Sequence, residues 1–215
     1  MDPSYAPAST FIGAIRSYQW VAGAALTEEE IAEAVNLARH AIETEDNDSD
    51  VLSRSALALT MLAGEHAAAV SALGRATTLN PNSARAWGLS AAVNCSACRP
   101  EAAIAGAQRA MRLSPLDPLI ADVQAAIAHA HFFAGRYDEA ASWAGMAVGA
   151  RAALYIAAAG NALAGRVEEA SKAVERMRQL DPGLRITTLR EALGPYRPED
   201  LAKYEAGLRK AGLPE

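Results

Sequence analysis

Two cysteines three residues apart, Cys95 and Cys98, are the pair in this 215-residue chain whose spacing most suggests chemistry. A Cys-x-x-Cys pair can act as a redox couple or as half of a zinc site. Redox pairs open a helix, where the dipole lowers the thiol pKa. This pair instead closes a helical stretch, and no second Cys-x-x-Cys or Cys-x-x-His completes a metal site. The two thiols are therefore expected to pack as small apolar groups. His129 and His131 flank Ala130 on a helical run. Residues i and i+2 of a helix point about 200° apart, so the two imidazoles cannot grip one metal. One should pack inward and the other face outward. His40 and His66 stand alone and read as turn residues.

The carboxylates do not form an acid/base pair either. Glu28-Glu29-Glu30, Glu168-Glu169, Asp117 and Asp122 sit at or beside helix starts, where negative charge favours the dipole. Lysine occurs only at Lys172, Lys203 and Lys210. No Gly-x-Ser-x-Gly elbow, phosphate-binding loop or dinucleotide fingerprint is present. No catalytic residue, metal or cofactor is expected. The net charge of −5 and the pI of about 5.5 argue against nucleic acid as the main partner.

The elements that would carry these residues are helical. Roughly a quarter of the residues are alanine, the best helix former, and no segment alternates with period two. The most apolar stretch, residues 152–163, is too short and too rich in alanine to span a bilayer. With Asp2 at the start and no basic leader, a cytoplasmic location without membrane attachment is the expectation. Two cysteines are too few for a secreted disulfide scaffold.

Residues 1–9 read as a disordered lead-in, and helical patterning runs from Thr10 to about Ala25. Thr27 and Glu30 form a capping box ahead of a helix over 28–43. The polar run 44–50 is a turn and the cap of the next helix. Four hairpins are then predicted: 50–62 with 66–79, 84–97 with 100–113, 118–134 with 137–148, and 151–164 with 167–180. Gly64, Gly135 and Gly165 mark the turns, and Pro81, Pro115 and Pro182 stop the helices before them. A shorter pair, 184–193 and 198–211, closes the chain, with Pro198 in a first turn. All connections are short, so residues 10–215 are expected to form one domain.

The spacing repeats. Leu-x-Pro recurs at Leu79, Leu113 and Leu180, separated by 34 and 67 residues, the second near two periods. Ala69, Ala103, Ala140 and Ala170 hold matching places in the second helices, as do Ala76 and Ala110. Residues 135–140 and 165–170 (Gly-Arg-x-Asp/Glu-Glu-Ala) are copies of one another. This pattern resembles the tetratricopeptide repeat over about residues 28–182. The resemblance implies an all-α, right-handed solenoid of about five to six antiparallel helical hairpins. Cys98 replaces the usual turn glycine, Gly149 stands where proline is expected, and Ala103 to Ala140 is 37 residues where Ala140 to Ala170 is 30.

Segments 80–91, 112–119, 130–144 and 195–215 also resemble the C-terminal repeat region of bacterial regulators that follows a class III adenylate/guanylate cyclase domain or a winged-helix DNA-binding domain. The likeness implies that an effector domain lies upstream in a longer protein and that the present residues carry no cyclase activity.

In tetratricopeptide stacks the first helices line a concave groove. By that resemblance Arg54, Met61, Arg85, Asp122, His129, Phe132, Phe133 and Tyr155 are the candidate partner-binding residues. Arg54 and Arg85, one repeat apart, could clamp a partner carboxylate. They could equally be solvated or ion-paired, and Phe132-Phe133 could be core at a hairpin turn. Trp20, Trp87 and Trp143 read as core spacers, Trp20 being nearest an exposed edge.

The function expected is a non-catalytic scaffold for a protein or peptide partner. Small-ligand sensing and homodimerisation are the alternatives. The first helix is apolar on more than one face, through Phe11, Ile12, Ile15, Trp20 and Val21, and so favours a second subunit.

Overall fold

The computed structural model describes residues 6–21, 24–44, 47–189 and 197–215. All regular structure among them is helical. Packing divides the chain into two compact units, residues 1–115 and 116–215, where the sequence reading drew one domain over 10–215.

The first unit contains α1 (Ala6–Val21), α2 (Glu28–Thr44), α3 (Ser49–Ala63), α4 (His66–Leu79), α5 (Ala84–Ser96) and α6 (Pro100–Leu113). The boundaries follow from local chemistry. Thr27 N–H donates to Glu30 Oε2 at 2.9 Å while Glu30 N–H donates to Thr27 Oγ1 at 3.2 Å, which is the expected capping box. Asp48 caps α3 by accepting from Asp50 N–H and Val51 N–H at 2.8 and 3.0 Å. Ser83 accepts from Ala86 N–H to start α5, and Pro100 takes the first turn of α6, where it needs no N–H partner. The first helix begins at Ala6, earlier than its apolar pattern suggests. Residues 1–5 of the expected lead-in, and residues 22–23 and 45–46, lie outside the described set.

The core of this unit lies around α3, which packs against α1, α2, α4 and α5. Every residue from Val51 to Thr60 is buried. Ala56, Ala58 and Leu59 of α3 meet Val35 and Ala38 of α2, Ala69, Ala72 and Leu73 of α4, and Val93 of α5. The recurring alanines are thus where helix meets helix, since a small side chain lets two backbones approach.

The second unit contains α7 (Ile120–Phe133), α8 (Tyr137–Met146), α9 (Arg151–Leu163), α10 (Val167–Leu180), a 3-10 turn (Ile186–Thr188) and α11 (Pro198–Ala211). Of the first helix of the expected closing pair, 184–193, the described residues show the 3-10 turn and, after it, Leu189 in helical conformation; residues 190–196 lie outside the described set. Here α9 is central, packing against α7, α8, α10 and α11.

At the turns a residue one or two positions past the end of each first helix adopts a left-handed conformation: φ is 67° at Gly64, 77° at Gly135 and 84° at Gly165. Cys98 occupies the same place with φ 55°, the one described non-glycine residue at positive φ. Its turn still closes, with Arg99 N–H donating to Asn94 O at 2.8 Å, as Arg136 N–H does to His131 O and Arg166 N–H to Asn161 O. The repeat therefore tolerates the cysteine at the cost of local backbone strain.

Candidate partner-binding surface

In the first unit the candidate residues stand on α3 and α5. Arg54 lies one turn into α3 and is only 8% exposed. Its Nη2 donates to Asp50 Oδ2 at 2.8 Å, and its guanidinium carbon sits 4.0 Å from the centre of the Phe11 ring. The carboxylate clamp expected of Arg54 with Arg85 is therefore not assembled in this structure. Helix α1 lies on α3, and Phe11 covers the Arg54 guanidinium, holding it by charge–quadrupole attraction. Arg85, in the first turn of α5, is exposed, and Met61 near the end of α3 is half-buried.

In the second unit four candidates are interior, contrary to their expected place on an open groove. His129, Phe132 and Phe133 of α7 and Tyr155 of α9 are all buried. For the three on α7 the cause is a side chain from the far end of the unit. Tyr204 of α11, itself fully buried, packs its ring 4.8 Å from Phe132, 5.6 Å from Phe133 and 5.8 Å from His129. The Phe133 contact is edge-on, a favoured aromatic arrangement. Next to Tyr204, Lys203 Nζ donates to Phe133 O at 3.0 Å, placing a cation at the C-terminal end of α7. Asp200, fully buried in the first turn of α11, accepts from Arg197 Nε at 2.7 Å and lies 3.6 Å from Lys203 Nζ. Neither Tyr204 nor Lys203 was among the sequence candidates. The spacing of Leu201, Tyr204 and Leu208 shows that α11 has an apolar face, but not what that face covers.

Burial pushes the His129 pKa down to about 4, against a smaller opposing effect of its bond to Ala125 O at 2.9 Å. At neutral pH it is an uncharged core side chain. His131 is half-buried and accepts at Nδ1 from Arg136 Nε at 2.9 Å, so the two histidines serve different contacts. Cys95 is buried and Cys98 half-buried at the end of the α5 hairpin. Among the described residues no three His, Cys, Asp or Glu side chains are grouped as a metal site would need.

Asp117 caps its own turn, accepting from Leu119 N–H at 2.9 Å. Asp122 is exposed in the first turn of α7, where partial desolvation holds its carboxyl above the usual range. Glu30 is held below that range, chiefly by the Thr27 N–H. Trp20, Trp87 and Trp143 are all half-buried, and Trp87 Nε1 donates to Pro81 O at 2.9 Å. Among the described residues no helix is long and apolar enough to cross a membrane.

No family model matches the chain, and no curated protein matches it in sequence. Its fold, in contrast, has clear counterparts. The type IV pilus biogenesis factor PilW superposes with a TM-score of 0.65 at 16% identity, over 93% of this chain and 92% of that one. TTC0263, a tetratricopeptide-repeat protein of Thermus thermophilus, gives 0.64 at 14% identity, over 95% and 99%. A tetratricopeptide-repeat protein of Parabacteroides merdae gives 0.62 at 13% identity, over 97% and 86%. At such identities the likeness speaks to backbone architecture alone, and that architecture, all-helical and built of antiparallel hairpins, is the tetratricopeptide-repeat fold.

Proposed function

We propose that this chain is a non-catalytic scaffold that engages a protein partner through the first-helix face of its N-terminal unit. The observation that carries the reading is Arg85. Among the candidate cations it is the exposed one, and it stands in the first turn of α5, the first helix of its hairpin. Arg54 is already committed to Asp50 and Phe11, and the aromatic candidates of the second unit are core. An exposed guanidinium suits bidentate recognition of a carboxylate, so the partner segment should be acidic.

The same reading extends to a regulatory role beside an effector domain of the cyclase or winged-helix kind. Support for that extension is the sequence likeness of residues 80–91, 112–119, 130–144 and 195–215 alone.

The test is capture from a lysate with wild-type bait beside Arg85→Glu, both checked for helix content by circular dichroism. A protein held by the wild type and lost by the folded variant supports the reading. Identical capture by both baits removes Arg85 from the partner surface.

A further inference from the structure

Helix α1 is turned opposite to the usual arrangement. Its inward face carries the small side chains: Thr10, Gly13, Ala14 and Ser17 are buried. A Cβ on Gly13 would stand 3.0 Å from Ala58 Cβ, so this face lies directly on α3. Ser17 Oγ donates to Gly13 O at 2.8 Å, which settles its hydroxyl within the helix. The large side chains stand on the exposed side of the helix, Phe11 with part of its ring over the Arg54 guanidinium and the rest open. Phe11, Ile12, Ile15 and Tyr18 retain 48, 39, 54 and 45% of their exposure.

Single exposed apolar residues are ordinary, whereas a contiguous group marks a contact surface. These four are contiguous. Positions 11, 15 and 18 fall at i, i+4 and i+7, and position 12 lies beside 15, making one stripe two turns long.

The chemistry of the stripe narrows its occupant. Helices that lie on membranes are rich in Lys and Arg on their polar face, matching anionic headgroups. Here the one cation on the helix, Arg16, is already paired with Glu30 at 2.8 Å, and the whole chain carries −5. The surface that fits must itself be apolar and of the same length. The stripe meets that description when laid against itself. It reads aromatic, aliphatic, aromatic from either end, with Ile15 near the midpoint between Phe11 and Tyr18. Two copies laid antiparallel would set Phe11 of each against Tyr18 of the other and Ile15 near the two-fold axis, an isologous contact.

We infer that the outward stripe of α1 is a homodimer interface, formed by antiparallel pairing with α1 of a second copy. At roughly 200 Å² per large side chain, these exposures amount to on the order of 400 Å² per copy. A standard interface covers about 800 Å² per partner, so the dimer is a weak one in exchange with monomer.

The test is sedimentation of the full chain from micromolar to millimolar concentration, beside Ile15→Glu. The wild-type mass should climb from one chain toward two. Ile15→Glu should stay at one chain with unchanged helix content, because two carboxylates would meet at the axis from a position that the fold leaves exposed. A second arm uses Ile15→Cys in a Cys95→Ala/Cys98→Ala background, oxidised with glutathione disulfide. Thiols near the axis come within the roughly 6 Å Cα separation that a disulfide needs, so this variant should cross-link. Glu33→Cys on α2 in the same background should not.

Wild-type protein that stays at one chain throughout overturns the inference, whether or not it binds lipid vesicles. So does a dimer that survives Ile15→Glu, or one that Ile15→Cys fails to cross-link. None of these results depends on Arg85, so this interface and the partner surface stand or fall separately.

Discussion

Replacing Gly207 with alanine should loosen the second unit, although alanine is the better helix former. A Cβ at this position of α11 would stand 2.7 Å from Ala159 Cβ, 2.9 Å from Ala159 Cα and 3.0 Å from Ala159 O. Carbon atoms in contact prefer about 3.5–4.0 Å, so α11 must move off α9 by about 1 Å. The obstacle is largely backbone, and no rotamer change relieves it. Overpacking of this kind costs about 1–3 kcal/mol. Against it stands a helix-propensity gain of about 0.5–1 kcal/mol for Gly→Ala. The gain can be cancelled experimentally with Gly145→Ala in α8 of the same unit, where an added Cβ meets nothing within 4 Å. Because Gly145 stands next to the end of α8 and gains no more propensity than Gly207 inside α11, the difference between the two variants is a lower bound on the packing effect of about 1–3 kcal/mol. Urea denaturation followed by circular dichroism should show Gly145→Ala more stable than wild type and Gly207→Ala less stable than Gly145→Ala by that margin. If both substitutions stabilise equally, the α9–α11 contact described here is wrong.

Acid should weaken the second unit through His129. Its folded pKa of about 4 lies below the unfolded value of about 6.5, so between them the unfolded chain binds the extra proton. The contribution is fully present above pH 6.5 and is lost as pH falls toward 4, reaching about 2 kcal/mol at pH 5. A His129→Gln variant should show a shallower loss of stability over that interval; an unchanged slope would mean that His129 is not buried in neutral form. At the α5 turn, Cys98→Gly should relieve the left-handed strain and stabilise the chain by about 1 kcal/mol, whereas Cys98→Ala should give no such gain. Thermal melts of the two variants decide it, and equal melting temperatures would count against the strain.

The legible part of this protein is the part written in local chemistry. The four central hairpins are predicted to within a residue or two at most ends, because caps, prolines and turn glycines act over four or five residues. Cys98 shows how firmly the turn is set, since the left-handed conformation persists without glycine. The burial of Phe132 and Phe133 could likewise be weighed from their place at a hairpin turn.

The partner surface was much less legible. Arg54 looks like a groove residue from its repeat position, and only the packing of α1 on α3 puts it under Phe11. His129, Phe132 and Phe133 are placed by their spacing near one end of α7, but whether that end is open depends on Tyr204 of α11.

By itself, then, the sequence determined the helices, their turns and their pairing into hairpins, since each of these is closed by bonds between near neighbours. Tertiary structure decided which faces remain open. It set the small face of α1 inward and its large face outward, buried the aromatic candidates and left Arg85 exposed. The reason is physical: exposure belongs to whatever segment comes to lie on a surface, and contacts such as Lys203 to Phe133, with |i−j| of 70, lie far beyond the reach of any local pattern.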